Sequence, residues 1–175
     1  MQPVLYNMSA QENPEIFLSV IEANKGIIYK VAHSYCNHAE DRQDLVQEII
    51  LQLWRSFGNY NNEYRYSTWI YRIALNTAIS FYRRESRRKQ VSGPLPDSII
   101  SLADNPFSGR QEDLGLLQQF ISSLKDLDKA LMLLYLEEKS YKEIAEITGI
   151  SESNAGTRIA RIKQLLKQKF TALKH

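Results

Sequence analysis

Apolar residues recur along most of this chain at intervals of three and four, the spacing that lines one face of an α-helix, and no segment alternates as a half-buried strand would. Phe17, Val20, Ile21, Ile28, Val31 and Tyr35 predict a first helix, with Asn13 as N-cap and Pro14 at its first position. Leu45, Ile49 and Leu53 recur every four residues. With Val46, Ile50 and Trp54 widening the stripe, they predict a second helix, capped by Asp41 and ended near Gly58. A third is expected from Ser67 onward, carrying Ile70, Ile73, Ala74, Thr77 and Phe81. Between residues 90 and 113 the periodicity lapses, and Gly93, Pro94, Pro96, Pro106 and Gly109 break any continuous element. Beyond it, Leu114, Leu117, Ile121 and Leu124 mark a fourth helix, and the apolar run over 130–136 a buried fifth. Ser140 and Glu143 form a capping box for a short sixth helix with Ile144, Ala145 and Ile147 inward, and Gly149 supplies a left-handed stop. Ser151 can cap a last helix whose inward stripe is Ala155, Ile159, Ile162 and Leu166. The expected fold class is all-α. Two small helical domains, residues 1–89 and 114–175, are joined by a linker over 90–113, and the second domain holds a helix-turn-helix.

Composition removes several classes of function. Of 175 residues, 43% are hydrophobic and 24% charged, which is ordinary for a globular protein and argues against disorder or low complexity. The single cysteine, Cys36, cannot form an internal disulfide, and residues 1–10 lack the basic-then-apolar order of a signal peptide, so a cytoplasmic location is expected. The run over 130–136 is far too short to span a bilayer as a helix, and no membrane insertion is expected. His33, Cys36 and His38 spell H-x-x-C-x-H but lack a fourth ligand, which reads as a buried thiol between surface imidazoles, with no metal and no other cofactor. There is no phosphate-cradling glycine loop, no nucleophile with a base and no pair of acids suited to a pocket, so no catalytic residue is assigned.

The charge is bland in sum and uneven in place. Twenty-two basic against 20 acidic residues give +2, yet residues 81–90 hold Arg83, Arg84, Arg87, Arg88 and Lys89 against Glu85 alone. Residues 151–175 hold Arg158, Arg161, Lys163, Lys167, Lys169 and Lys174 against Glu152 alone. Such segregation marks two anion-facing patches on an otherwise acidic chain. Residues 140–167 match a helix-turn-helix: a short helix, a tight turn with glycine, and a longer basic helix. With the apolar stripe inward, Ser153, Asn154, Thr157, Arg158 and Arg161 point to solvent in the half that would enter a major groove, while Lys163, Lys167 and Lys169 suit phosphate. A second constellation crowds aromatics into a polar loop. Phe57, Tyr60, Tyr64, Tyr66, Trp69 and Tyr71 interleave with Asn59, Asn61, Asn62 and Arg65. Rings left exposed there could stack on unpaired bases while the amides read base edges, with Phe57, Trp69 and Tyr71 expected in the core instead.

These motifs bring a family into view. The run DLVQE from Asp44 to Glu48, then Trp54, then TWIYRIALN from Thr68 to Asn76 and the basic end over 83–88, resembles region two of bacterial sigma factors. The helix-turn-helix over 140–167 resembles region four, and two such regions on so short a chain resemble the extracytoplasmic-function (ECF) group of the sigma-70 family. The resemblance implies a transcription initiation factor that binds core RNA polymerase and promoter DNA. It places Asp44, Gln47, Glu48 and Trp54 on the helix that docks on the polymerase clamp coiled coil. It implies that the loop carrying Tyr60, Asn61, Asn62, Tyr64, Arg65 and Tyr66 captures a base flipped from the −10 element, with Asn76, Arg83, Arg84, Arg87 and Arg88 against the DNA. Region four would read the −35 element through Ser153, Asn154, Thr157, Arg158 and Arg161, with Lys163 and Lys167 on phosphates, and would touch the polymerase flap. A cognate anti-sigma factor is implied as a further partner. Gly156 and Ala160 depart from the polar residues common in the recognition helix, and Arg42 and Gln43 from the alanine and glutamate common before the aspartate.

A rival reading is an autonomous regulator that binds duplex operators as a dimer through the same helix-turn-helix, without polymerase. It leaves the first domain unexplained.

Overall fold

The computed structural model describes residues 14–91 and 109–173, and these form seven helices with no strand among them. The all-α expectation is met. Residues 92–108, most of the expected linker, lie outside the described residues, as do the expected N-cap Asn13 and the segment 1–10. The described residues divide into two compact units between Phe81 and Tyr82, inside the third helix.

In the first unit, α1 (Pro14–Tyr35) opens at the expected proline, whose fixed φ suits a first helical position. It buries Phe17, Val20, Ile28, Val31, Ala32 and Tyr35. The second helix, α2 (Ala39–Phe57), packs against it and buries Leu45, Ile49, Leu53 and Phe57, ending at Gly58. The expected cap is corrected here. His38, not Asp41, holds the N-cap position and makes no side-chain cap; Glu40 and Asp41 lie in the first turn, where the helix dipole favours anions without a cap bond. The third helix, α3 (Tyr66–Val91), starts one residue before Ser67 and buries Ile70, Tyr71, Ala74, Leu75, Ala78 and Phe81. Cys36 is buried beside exposed His33 and His38.

The second unit holds α4 (Gly109–Ser123), α5 (Asp126–Leu136), α6 (Tyr141–Thr148) and α7 (Glu152–Leu173). Its core gathers Phe120, Met132 and Ile162, with Ile121, Leu124, Tyr135 and Leu166 packed around them. One expectation fails at the edge of this core. The run over 130–136 is expected buried, yet Leu136 at its end is 48% exposed; on α4, Leu114 is 56% exposed and Phe120 is the buried residue. The fourth helix also begins at Gly109, so its first five residues fall inside the expected linker. By contrast α6 matches its expectation in bounds and caps and buries Ile144 and Ile147, while Ala145 is half-buried. The Ser140 hydroxyl accepts from the Glu143 backbone N–H, the Glu143 carboxylate accepts from the Ser140 N–H, and Gly149 closes the helix at φ 75°.

Candidate nucleic-acid interface

The α6–turn–α7 pair sets the first surface. Gly149 in the left-handed region reverses the chain after α6, and the Ser151 hydroxyl accepts from the Asn154 N–H to start α7. Ala155, Ile159 and Ile162 are buried at 1% exposure or less, so their helical phase decides what faces out. Ser153, Asn154, Thr157 and Arg161 are exposed, as expected. The Thr157 hydroxyl donates back to the Ser153 carbonyl at 2.9 Å. Ala160 is exposed and offers a methyl suited to a thymine methyl. Gly156 abuts the Tyr141 ring of α6 rather than open solvent, with 3.7 Å available to a Cβ.

Four cations of this helix already have partners. Arg158, expected to point freely to solvent, donates from Nε and Nη2 to Asp128 Oδ1 of α5 at 2.9 and 2.7 Å and is only part-exposed. Arg161 Nη2 lies 3.6 Å from the other Asp128 oxygen and stays 63% exposed. Lys163, expected on phosphate, donates to the Tyr135 hydroxyl at 3.1 Å and lies over that ring; this hydrogen bond holds its ammonium above the ordinary lysine value. Lys167 and Lys169 lie further along the exposed face, Lys169 above the Phe120 ring. Asp128 was missed from the sequence, for it stands thirty residues before its partner on another helix.

The aromatic loop between α2 and α3 is internally packed. Tyr60 and Tyr66 stack with centroids 4.4 Å apart, and both meet the half-buried Trp69, which continues to Phe57 and on to Phe17. Phe57 and Tyr71 join the core as expected; Trp69 does not sink fully and stays half-buried against the Tyr60 and Tyr66 rings. The Tyr60 hydroxyl donates to the Tyr64 carbonyl at 2.6 Å, and burial first, then Tyr66, hold that phenol above its ordinary value, so it is a neutral donor at physiological pH. Tyr64 lies under the Arg72 guanidinium, 5.3 Å from its centroid. What projects from this platform is the tip. Asn59, Asn61, Asn62 and Arg65 are exposed; Asn61 Oδ1 accepts from the Glu63 N–H, and Asn62 sits at φ 61°, a left-handed angle that asparagine tolerates better than most residues.

Two further faces complete the set. On α3, Asn76, Arg83, Arg84, Arg87 and Arg88 are all exposed, and the intervals of seven and eleven align Asn76, Arg83 and Arg87 along one stripe. On α2, Asp44, Gln47 and Glu48 line a shallow groove with Leu51, Gln52 and Arg55. Trp54, placed with them by resemblance, does not line the groove: two turns after Gln47 and nearly in phase with it, it is half-buried, edge-on to Phe17 at 4.9 Å. Leu51, 44% exposed, takes the apolar place in that face; a leucine out of phase with Leu45, Ile49 and Leu53 was the signal for it. Among the described residues no three His, Cys, Asp or Glu side chains gather as a metal site.

Comparison with known proteins bears on both units. Residues 20–88 match the family model of sigma-70 region 2, and residues 114–166 that of sigma-70 region 4. Similar relatives include the RNA polymerase sigma factor SigV of Bacillus subtilis, 26% identical over 92% of this chain and 95% of that protein. The ECF RNA polymerase sigma-E factor of Haemophilus influenzae is 30% identical over 76% of each. Among solved structures, the sigma factor RpoE from Bartonella quintana, in complex with the anti-sigma factor NepR, has a TM-score of 0.65 at 19% identity, over 92% of this chain and 98% of that one. CnrH, in complex with the cytosolic domain of CnrY, has a TM-score of 0.66 at 18% identity, over 94% and 93%. These two speak for the fold.

Proposed function

The chain belongs to the ECF group of the sigma-70 family, and on that premise we propose how its surfaces share the work of initiation. As a sigma factor it binds core RNA polymerase and directs it to promoters, and it is not an enzyme. The autonomous-regulator reading is set aside, because the unit it left unexplained carries a sigma region 2. The observation that carries the function is this pairing of region 2 and region 4, in that order, on one chain.

In our reading the acidic face of α2 docks on the polymerase clamp coiled coil through Asp44, Gln47, Glu48 and Leu51, and Trp54 supports it from the α1 side. The loop tip at Asn61, Asn62 and Arg65 meets the −10 strand, with the Tyr60–Tyr66–Trp69 platform beneath it ready to take a stacked base. The α3 stripe of Asn76, Arg83 and Arg87, with Arg84 and Arg88 beside it, follows the adjoining backbone. Ser153, Asn154, Thr157 and Arg161 read the −35 duplex, Lys167 grips phosphate, and the second unit touches the flap. An anti-sigma factor is a fitting partner, since RpoE of Bartonella quintana binds one. No helix among the described residues is long and apolar enough to cross a membrane, and we place the protein with polymerase in the cytoplasm.

Binding to core polymerase and run-off transcription on a promoter pool test this assignment. Arg161→Ala is expected to cost about 1–3 kcal/mol of discrimination at a single −35 position, whereas Lys167→Ala weakens binding on all sequences alike. Equal losses everywhere for both variants would remove α7 as a reader. At the loop, Asn62→Gly suits the left-handed backbone and deletes the side chain with its amide. It is expected to lower −10 discrimination by about 1–3 kcal/mol, the range of a good base-edge contact, and to leave −35 duplex affinity alone. Permanganate reactivity of the −10 thymines reports the opening; a wild-type pattern refutes the loop assignment.

A further inference from the structure

We infer that Asp128 is a positioning residue that sets −35 specificity by withholding Arg158 from the DNA. The inference rests on α7 as the −35 reader. Its basis is one carboxylate serving two arginines of the recognition helix. Asp128 is 19% exposed on α5 and accepts twice from Arg158 at Oδ1, while Arg161 approaches Oδ2 at 3.6 Å.

The division is unequal in a way that bears on reading. A base-edge contact to guanine needs the arginine's planar fork presented free, two parallel N–H groups at once. Arg158 spends Nε and Nη2 on one aspartate oxygen, so its fork is turned toward α5. Arg161, 63% exposed, makes only a single 3.6 Å approach to the carboxylate, which leaves its fork unspent. Two cations and one anion leave a net charge of +1 where the helix sequence alone suggests +2. Each extra cation available to phosphate adds binding that carries no sequence information. By cancelling one, Asp128 keeps the sequence-independent share of affinity low and leaves discrimination to Asn154, Thr157 and Arg161.

The experiment uses holoenzyme reconstituted from the full chain and bacterial core polymerase, bound to promoter duplexes carrying each single-base change in the −35 element. Asp128→Asn keeps the shape and removes the charge. It is expected to steepen the salt dependence by one phosphate contact, so that the affinity lost between 50 and 200 mM salt grows about three- to fourfold, and to narrow the spread among −35 variants. Arg158→Gln added to Asp128→Asn returns the salt dependence to wild type, and Asp128→Glu, which keeps the charge, does so too. A bridge that only holds α5 to α7 predicts otherwise: Asp128→Asn would lower the melting temperature and leave both readouts unmoved, which overturns the inference. Should Asp128→Asn not fold, Arg158→Gln decides alone. It is expected to scale all −35 variants by one factor, and a loss confined to one base pair makes Arg158 a base reader and overturns the inference. Asn154→Ala separates the premise from the inference: if it leaves −35 preference untouched, α7 is not the reader, whatever Asp128 does.

Discussion

Leu51→Asp is expected to abolish transcription from every promoter while leaving the helices intact. Leu51 is 44% exposed and lies across α2 from Leu45, Ile49 and Leu53, which are fully buried, so the substitution touches no core contact. Surface changes of that kind alter stability by about 0.5 kcal/mol or less. At the docking face the same change is severe. An apolar residue ringed by Asp44, Gln47, Glu48, Gln52 and Arg55 has the layout of an interface hot spot, a desolvated centre inside a polar rim. An aspartate there would replace the apolar centre of the contact with a charge that must be desolvated, one turn from Glu48, at a cost of about 2–5 kcal/mol, or roughly 30- to several-thousand-fold in affinity. Affinity for core polymerase, with circular dichroism as the check on folding, decides it. A folded variant that binds core normally moves the docking surface off α2. Because the loss precedes DNA recognition, it should be the same on strong and weak promoters.

What the sequence made legible is what local rules govern. The capping box of α6, its glycine stop and the inward stripe of α7 each depend on residues within one or two turns, and each appears where the spacing placed it. Family membership was legible for the same reason, since DLVQE and the helix-turn-helix are contiguous runs. Partners across helices were not. Periodicity says that Arg158 leaves the core face, but only packing brings Asp128 from thirty residues away to meet it. Lys163 finds Tyr135 over a similar distance. The aromatic loop has no period to read, so its division into platform and tip follows from stacking that the order of residues does not announce. Trp54 and Leu51 show the limit within one helix: both are apolar, and only phase against Leu45, Ile49 and Leu53 tells the ring packed on Phe17 from the leucine left outside. The helix ends slipped where two signals competed, as at Asp41, an able cap that instead serves the dipole inside the first turn.

Ile159→Ala is expected to do through packing what no surface change on α7 can. Ile159 is fully buried, between Ala155 and Ile162 on the stripe that fixes the rotation of the recognition helix. Truncating such a side chain costs about 2–5 kcal/mol, the transfer term plus the cavity left behind. Domain stabilities run to about 5–15 kcal/mol, so the second unit would be left marginal. The functional consequence follows from geometry. Ser153, Asn154, Thr157 and Arg161 read bases only while the inward stripe holds their phase, and a helix free to roll presents them to the wrong edges. Transcription from promoters that depend on the −35 element should therefore collapse, while affinity for core polymerase, which the acidic face of α2 supplies, survives in large part. Chemical denaturation measures the first number and core binding the second. A stability loss under about 0.5 kcal/mol would mean that this stripe does not orient α7; a stability loss in range with −35 selectivity retained would mean that base reading does not depend on the helix's phase.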